Sequence, residues 1–167
     1  LFYPLTIGIC GEDHSDKVLE LNRLCLEHNR KNEASFLVGN ALKQLPKPSI
    51  VVSYADTSVN HVGYIYQATN FIYTGLSAKR TEWREIGSNK HSKTLCGQVS
   101  LEERISKPDK YEIVERPQKH RYVYFCGDKR QKKKLLSLLN YPVKSYPKGN
   151  SKRYDSGSQV KSQLVLF

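Results

Sequence analysis

Two side chains that can hold or release a proton lie ten residues apart in the first half of the chain. Asp56 ends an apolar run that begins at Ile50, and Tyr66 lies in the next apolar segment. Acyl-group transfer uses such a pair, because one group must hold a proton while another orients the acceptor. A carboxylate at a strand end and a phenol on the following helix can face one cleft. We therefore expect Asp56 and Tyr66 to line a common site.

Each candidate also has an ordinary structural explanation. An aspartate after a strand often caps a helix or forms an Asx-turn, and a tyrosine on an apolar helix face is usually part of the core. The carboxyl ends of strands are also where α/β proteins bind ligands, so both interpretations of Asp56 and Tyr66 stay open. His61 near Asp56 is a further candidate base or ligand, with a capping or solvent-facing role as the alternative.

The elements that would position these residues follow the apolar periodicity. It predicts strands over residues 1–10, 17–27, 49–55, 71–76, 111–114 and 120–126, and helices over 34–45, 60–69, 100–105 and 129–139. Residues 17–27 also suit a helix, and residues 164–167 are either a strand or unstructured. Strands that alternate with helices indicate an α/β fold. The loop before the first long helix lies where phosphates bind, at a helix N-terminus with free backbone N–H groups.

The positive charge is confined to the second half of the chain. The net charge is +11; residues 1–76 carry six Lys/Arg against seven Asp/Glu, and residues 77–167 carry twenty-one against nine. Such an excess, interleaved with tyrosines, predicts contact with nucleic acid, although a solvated basic face or an interaction tail would look the same. The predicted nucleic-acid-binding residues are Arg116, Lys119, Arg121, Lys129, Arg130, Lys132, Lys133 and Lys134.

Length and cysteine usage limit the class of protein. The 167 residues fit one domain, and no apolar stretch reaches the roughly 18 residues of a membrane span. The four cysteines form no CxxC pair, and Cys10, Cys25 and Cys126 lie in apolar runs, which predicts a reduced, cytoplasmic protein. The histidines show no HxH, HxxxH or HExxH spacing, so a metal site has little support. The chain begins at Leu1 without a Met, which predicts that residues are missing upstream.

Five blocks of sequence carry a resemblance: 20–26 (ELNRLCL), 53–56 (SYAD), 61–68 (HVGYIYQA), 120–125 (HRYVYF) and 146–149 (YPKG). In this order they resemble the phage Mom DNA-modification family, within the GCN5-related N-acetyltransferase (GNAT) superfamily. The segment 64–71, YIYQATNF, is similar to the superfamily's late helix ending in Tyr-x-x-x-Gly-Phe.

The resemblance implies a fold and an activity. The fold would be α/β, a GNAT-like mixed sheet flanked by helices, whose N-terminal elements are missing from the chain. Residues 1–167 would be one domain, with an acyltransferase-like core over 1–77 and a basic, DNA-contacting α+β extension over 78–167. The activity would be transfer of a methylcarbamoyl group to N6 of adenine in double-stranded DNA, which protects phage DNA from restriction.

The resemblance also implies roles for particular residues. Arg23, Ser35, Asp56 and Tyr66 fall where the family's active-site Arg, Ser, Asp and Tyr lie. A structural salt bridge of a buried Arg23 and an N-cap role for Ser35 are the alternatives. The donor would be acetyl-CoA or another acyl or glycine-derived compound, held by the loop before the helix at Asn29, Arg30, Lys31, Asn32 and Ala34. Reaching the amine of adenine inside a duplex requires extruding the base, on which Tyr54, Tyr64 or Trp83 could stack.

The sequence departs from the superfamily pattern at two places. The loop 29–35 has no glycine, which argues against tight coenzyme A binding, because its backbone cannot easily curl onto a pyrophosphate. Asn60 stands where the family often has glycine, and asparagine also tolerates positive φ. Two rival functions remain: an acetyl-CoA-dependent N-acetyltransferase acting on another amine, and a DNA-binding accessory protein without catalysis.

Overall fold

The structure is a computed structural model that describes residues 2–4, 8–28 and 30–149. Within these residues the chain forms two compact units, residues 78–118 and the remainder. The strands are β1 Phe2–Pro4, β2 Val18–Leu21, β3 Ser49–Asp56, β4 Ile72–Leu76, β5 Arg80–Glu85, β6 Tyr111–Arg116 and β7 Lys119–Cys126. The α-helices are α1 Glu33–Gln44, α2 Tyr64–Ala68, α3 Ser92–Gln98, α4 Leu101–Ser106 and α5 Lys129–Ser137.

The first unit is built on a mixed sheet with the strand order β1-β2-β3-β7-β4. β2 and β3 are parallel, and the other neighbours are antiparallel. The expectation of an α/β protein with a mixed sheet is therefore confirmed. The two central strands, β3 and β7, are the ones whose sequences are apolar on both sides, because a strand covered on both faces must bury every side chain.

Alternation along β3 assigns its side chains to two different cores. Val51 and Ala55 pack with α1 residues Val38 and Leu42 on one face, which we call the α1 face. Ile50, Val52 and Tyr54 belong to the core on the other face, which we call the α5 face. Members of these two cores from the remaining elements include Phe71, Tyr73 and Tyr122 on the α1 face, and Val123, Phe125 and Leu135 on the α5 face.

Strand β2 is shorter than the strand expected over residues 17–27. Its pairing with β3 ends at Glu20 and Val52, although β3 continues to Asp56. The buried Ser53 hydroxyl donates a hydrogen bond to the Leu21 carbonyl at 2.7 Å. This side-chain bond stands in place of the next backbone hydrogen bond between β2 and β3. The two strands separate beyond this point, and residues 22–26 form no strand.

Left-handed residues also shorten the helix expected over residues 60–69. A 3-10 turn, Thr57–Val59, follows β3, and the α-helix begins only at Tyr64. Asn60 (φ 54°) and Gly63 (φ 76°) adopt the left-handed conformation in between. The positive φ expected at Asn60 is confirmed. Because an L-residue rarely continues a right-handed helix through this conformation, the loop 57–63 stays separate from α2.

Gly63 provides a sharp test of this loop. A Cβ there would lie 2.5 Å from a ring carbon of Tyr122, in addition to the unfavourable φ. We expect Gly63→Ala to lower the free energy of unfolding by about 3 kcal/mol, the sum of backbone strain and overpacking. Urea denaturation would measure it. Gly97→Ala is the matched control, since nothing lies within 4 Å of its Cβ position and its helix favours alanine. Equal stability of both variants would contradict the loop geometry.

The second unit, residues 78–118, contains more structure than the sequence predicted. β5 and β6 form an antiparallel pair, and Leu95 of α3 and Tyr111 are buried. The guanidinium of Arg104 lies 5.2 Å from the ring centre of Trp83. β5 (RTEWRE) was missed because it is mostly charged and has no apolar alternation.

The expected division into a core of 1–77 and an extension of 78–167 differs from the two compact units, because the chain after residue 118 returns to the first of them. β7 returns to the middle of the main sheet, between β3 and β4, and α5 covers the α5 face. Residues 119–149 are thus part of the first unit and not of a separate extension. The apolar residues of β7 require this position, since they are buried on both faces. The prediction for residues 164–167 lies outside the described residues.

Candidate functional site

The pairing of β2 with β3 ends at Glu20 and Val52, and we call the region just beyond, next to Ser53, the gap; the phenol of Tyr66, the first candidate side chain, lies beside it. The Tyr66 ring packs on Phe71, with 5.4 Å between ring centres, on the α1 face. The nearby Ser53 side chain acts to lower the pKa of Tyr66, but burial has the larger effect. Burial raises the pKa of Tyr66 above its ordinary value, so the phenol keeps its proton at neutral pH. A neutral phenol can donate that proton or orient a bound carbonyl.

Asp56 does not share a cleft with Tyr66, contrary to our expectation. Asp56 pairs with Lys119 across β3 and β7. It follows Ala55 of the α1 face, so alternation directs its side chain to the α5 face, the side opposite Tyr66. The spacing of ten residues in sequence could not reveal this, because the loop 57–63 decides the face on which the following helix packs.

The carboxylate of Asp56 is occupied by structural partners. It accepts hydrogen bonds from the Ser58 hydroxyl at 2.7 Å and from the Ser58 backbone N–H at 2.9 Å, and Lys119 Nζ lies 3.4 Å away. The hydrogen bond from the Ser58 side chain and the nearby Lys119 lower the pKa of Asp56. A carboxylate with a lowered pKa is a weak proton acceptor, whereas capping fits its position before the 3-10 turn.

A polar pocket of about 170 Å³ opens on the α1 face, next to the loop that Asp56 caps. The His61 backbone N–H bonds the Asp56 carbonyl at 3.1 Å, which ties the pocket to the end of β3. No Asp or Glu occurs among the described residues that line it. The lining residues are Thr57, Asn60, His61, Val62, His120, Lys148 and Gly149.

His120 is a pocket residue that sequence reasoning did not select. Its Nδ1 atom lies 2.8 Å from the Tyr73 hydroxyl, which fixes the ring in the pocket wall. Burial lowers the pKa of His120, so the imidazole is neutral at physiological pH. One hint of a role for His120 was visible in the sequence, its position at the start of the block 120–125. In that position it looks like an ordinary strand residue.

Aromatic rings connect Tyr66 to His120 along the α1 face. Ring centres are 5.2 Å apart between Tyr66 and Tyr122, 5.2 Å between Tyr122 and Tyr73, and 5.5 Å between Tyr73 and His120. Gln67 Nε2 bonds the Tyr122 hydroxyl at 3.2 Å. The gap and the pocket therefore lie on one face of the sheet, linked by a packed row of side chains.

The C-terminal strap, residues 141–149, completes the pocket. The Lys144 backbone N–H bonds the Tyr73 carbonyl at 2.9 Å, and the Tyr146 hydroxyl donates to the Phe71 carbonyl at 2.6 Å. Gln67 Nε2 also donates to the Pro147 carbonyl at 3.2 Å. These bonds hold the strap along β4 and place its last described residues against the loop 57–63.

The loop before α1 uses an asparagine for the left-handed conformation that glycine adopts most easily. Asn32 is the N-cap with a left-handed φ of 66°, and Ser35 lies in the first turn, donating its hydroxyl to the Asn32 carbonyl at 3.0 Å. The expected N-cap role of Ser35 is therefore wrong. The Glu33 carboxylate accepts a bond from the Arg30 backbone N–H at 2.6 Å. Arg30, Lys31 and Asn32 are exposed, Ala34 is half-buried, and Asn29 lies outside the described residues.

Arg23 and Cys25 are exposed, although we expected both on a buried strand. The reason is the early end of β2 at Leu21. All four cysteines are free thiols, and burial raises the pKa values of Cys10 and Cys126 to about 11. Arg23 leaves the sheet just where β2 and β3 separate, so it is not a buried ion-pair residue.

Helix α5 carries the exposed part of the predicted nucleic-acid surface. Asp128 caps it through a capping box with Gln131, and Leu135 anchors it to the sheet. The exposed basic residues, which we call the α5 basic face, are Lys129, Arg130, Lys132, Lys133 and Lys134. Two other predicted residues have acidic partners: Lys119 pairs with Asp56, and Arg116 lies 3.9 Å from Glu82 within the second unit.

Arg121 does not belong to a nucleic-acid surface, because it is buried with 9% of its surface exposed. Its Nε donates to the Thr74 hydroxyl at 2.9 Å, and its guanidinium lies 3.4 Å from the ring centre of Tyr141. The sequence pattern placed it among exposed cations because neither Thr74 nor Tyr141 is near it in the chain. Its role is to join β7, β4 and the strap.

We expect Arg121→Gln to lower the free energy of unfolding by about 2–4 kcal/mol, since a charge-assisted hydrogen bond and a buried cation–π contact are lost. Chemical denaturation would measure it. The salt dependence of DNA binding should stay unchanged in the folded variant. If Arg121→Gln kept its stability but lost one phosphate contact, Arg121 would be part of the DNA-binding surface after all.

Among the described residues, no cluster of three or more His, Cys, Asp or Glu is arranged to hold a metal ion. No described helix is both long and apolar enough to cross a membrane.

Sequence comparisons with known proteins match most of the chain. The model of the Mom protein family matches residues 4–148. The protein named Methylcarbamoylase mom, from Escherichia phage Mu, is 33% identical over 140 residues. The matched region covers 78% of this chain and 56% of the phage protein, so the chain spans just over half the length of that relative.

Proposed function

The chain belongs to the Mom protein family, and on that premise we propose that it modifies DNA by transferring a methylcarbamoyl group to N6 of adenine. The substrate is double-stranded DNA, the site of action is the cytoplasm of the bacterial host, and the effect is protection of phage DNA from restriction. The observation that carries the proposal is the neutral Tyr66 phenol beside the gap between β2 and β3, on a unit that also presents five exposed basic residues on α5.

The gap supports a GNAT-like placement of the group donor. Parallel strands that separate at Leu21 and Ser53 leave room at their carboxyl ends, where α/β proteins bind ligands. Arg23 follows the end of β2, and Ser35 lies in the first turn of α1. In this proposal Arg23 and the loop residues Arg30, Lys31, Asn32 and Ala34 hold an anionic, glycine-derived donor that already carries the amide nitrogen of the transferred group, because acetyl-CoA alone would supply only an acetyl group. Ser35 stabilises charge that develops during transfer.

Tyr66 and Asp56 have different tasks in this proposal. Tyr66 donates its proton to the leaving group and regains one from the N6 amine when the new bond forms, or it only orients the donor, because its phenol is neutral and lies beside the gap. Asp56 positions the loop 57–63 through its bonds to Ser58 and does not act as the base. The α5 basic face contacts phosphates of the duplex.

Nucleoside mass spectrometry of plasmid DNA tests the proposal directly. DNA from cells that express the gene encoding this chain should contain a modified deoxyadenosine that is absent from cells with the empty vector. An acetylated small amine with unchanged DNA would support the rival N-acetyltransferase instead. Salt-sensitive DNA binding without any altered nucleoside would favour the non-catalytic DNA-binding protein, which the α5 basic face also permits.

A further inference from the structure

The polar pocket on the α1 face has no role in the proposed donor site. It is assembled from three segments that are distant in the chain: the loop after β3, His120 on β7, and the end of the strap. Its volume of about 170 Å³ equals on the order of five water molecules. That space suits one planar ring system and not a whole coenzyme. The question is which ring its wall is built to recognise.

His120 offers one fixed hydrogen-bonding nitrogen to the pocket. The Tyr73 hydroxyl bonds its Nδ1 atom at 2.8 Å and sets the orientation of the ring, which leaves Nε2 for a ligand. In a neutral imidazole this nitrogen is a donor in one tautomer and an acceptor in the other. Adenine presents one group of each kind on the same edge, the N6 amine as donor and N7 as acceptor.

Asn60 supplies the side chain that most often reads this edge. An asparagine amide can bond N6 and N7 of adenine together. The left-handed backbone of Asn60, with φ 54°, places it in the pocket wall, and its carboxamide is exposed. Val62 and the backbone at Gly149 add apolar surface for a flat ring. A Cβ at residue 149 would collide with the Tyr64 hydroxyl, so only glycine lets the strap approach so closely.

The rim of the pocket is positive. Lys148 is exposed, and no acidic side chain lies among the described residues of the wall. A phosphate that flanks the base would therefore meet an ammonium group and no repulsion. Charge at the rim and neutral polar groups inside match a nucleotide better than a free anion, which would need charged partners inside.

We propose that this pocket receives the adenine of a nucleotide displaced from the duplex, with His120 and Asn60 at the base edge and Lys148 at the flanking phosphate. The inference rests on the proposed function, because a base must leave the stack before an enzyme reaches its amine. The pocket thus recognises the displaced base before transfer and is not the reacting site, because the aromatic row separates it from the donor gap, which the N6 amine must reach for the reaction.

The test uses duplexes in which 2-aminopurine stands next to a target adenine, with every combination of the other neighbouring bases. Its fluorescence rises when the adjacent adenine leaves the stack, and no group donor is needed. We expect a severalfold rise on binding of the wild-type protein in at least one context. Asn60→Gly keeps the left-handed backbone and removes the amide, and His120→Phe keeps a ring and removes its nitrogens. Both should reduce the rise at least threefold at protein concentrations that saturate the DNA. His28→Phe, at an exposed histidine outside the pocket, is the matched control and should keep the full rise.

A second measurement locates the base. The imidazole proton signals of His120, assigned from the His120 variant, should shift with deoxyadenosine monophosphate and not with inorganic phosphate. Equal shifts with both would make the pocket a simple anion site and overturn the proposal. So would a fluorescence rise that both pocket variants retain, or the absence of any rise. The fluorescence measurement needs no group donor, and the nucleoside analysis does not depend on the pocket. DNA that is modified without any rise in fluorescence would therefore reject only this inference. A rise in DNA that is never modified would reject the transferase function.

Discussion

Replacing Tyr66 with phenylalanine is expected to lower adenine modification by at least about a hundredfold, the usual range for loss of a general acid–base group. The phenol is the protonated group at the point where β2 and β3 separate, and its burial keeps it neutral at the pH of the cell. The variant loses only the hydroxyl, so the ring still packs between Phe71 and Tyr122. Nucleoside mass spectrometry on DNA from cells expressing each variant measures the effect.

Tyr124→Phe is the matched control for this variant. Tyr124 is another half-buried tyrosine whose pKa is raised by burial, and its ring also packs on Phe71, at 5.2 Å between centres. Removal of its hydroxyl should leave modification within about twofold, since it lies away from the gap and donates to no reacting group. If the two variants lost activity equally, the effect would come from packing around Phe71. Full modification by the Tyr66 variant would remove the phenol from the proposed mechanism.

The second large effect is expected on DNA affinity. Changing the whole α5 basic face to glutamine should weaken duplex binding at least about a hundredfold near 0.1 M salt, because each lost phosphate contact lowers the slope of log K against log salt by roughly 0.9. Glutamine is nearly as good a helix former as lysine, so α5 should stay folded. The Asp128–Gln131 capping box is untouched. Fluorescence anisotropy over a range of salt concentrations gives both the affinity and the slope.

A pair of double variants separates contact from overall charge. Lys133→Gln with Lys134→Gln removes two charges from α5, and Lys43→Gln with Lys47→Gln removes two exposed charges elsewhere on the first unit. Only the first pair should lower the salt slope, by about two, if these lysines contact phosphates directly. Equal changes in both pairs would mean that net charge, and not the α5 basic face, attracts DNA.

The local patterns of the sequence were sufficient for the central elements. β3 and β7 are runs of apolar and aromatic residues of strand length, and α5 has its leucines at helical spacing below a row of lysines. These patterns repeat within a few residues, so hydrophobic periodicity alone predicts them. The sequence blocks shared with the family also pointed to Tyr66, to Asn60 with its positive φ, and to the mixed sheet.

The tertiary structure alone decided which residues meet. Arg121 and Lys129 look alike in the sequence, yet one is buried against Tyr141 and the other is exposed, because strand β7 lies inside the sheet. Tyr73 and His120 are 47 residues apart and form one hydrogen-bonded pair. Asp56 and Tyr66 are only ten residues apart, yet they lie on opposite faces of the sheet. Periodicity within a segment reports that one side is covered, but the identity of the covering segment depends on packing between distant parts of the chain.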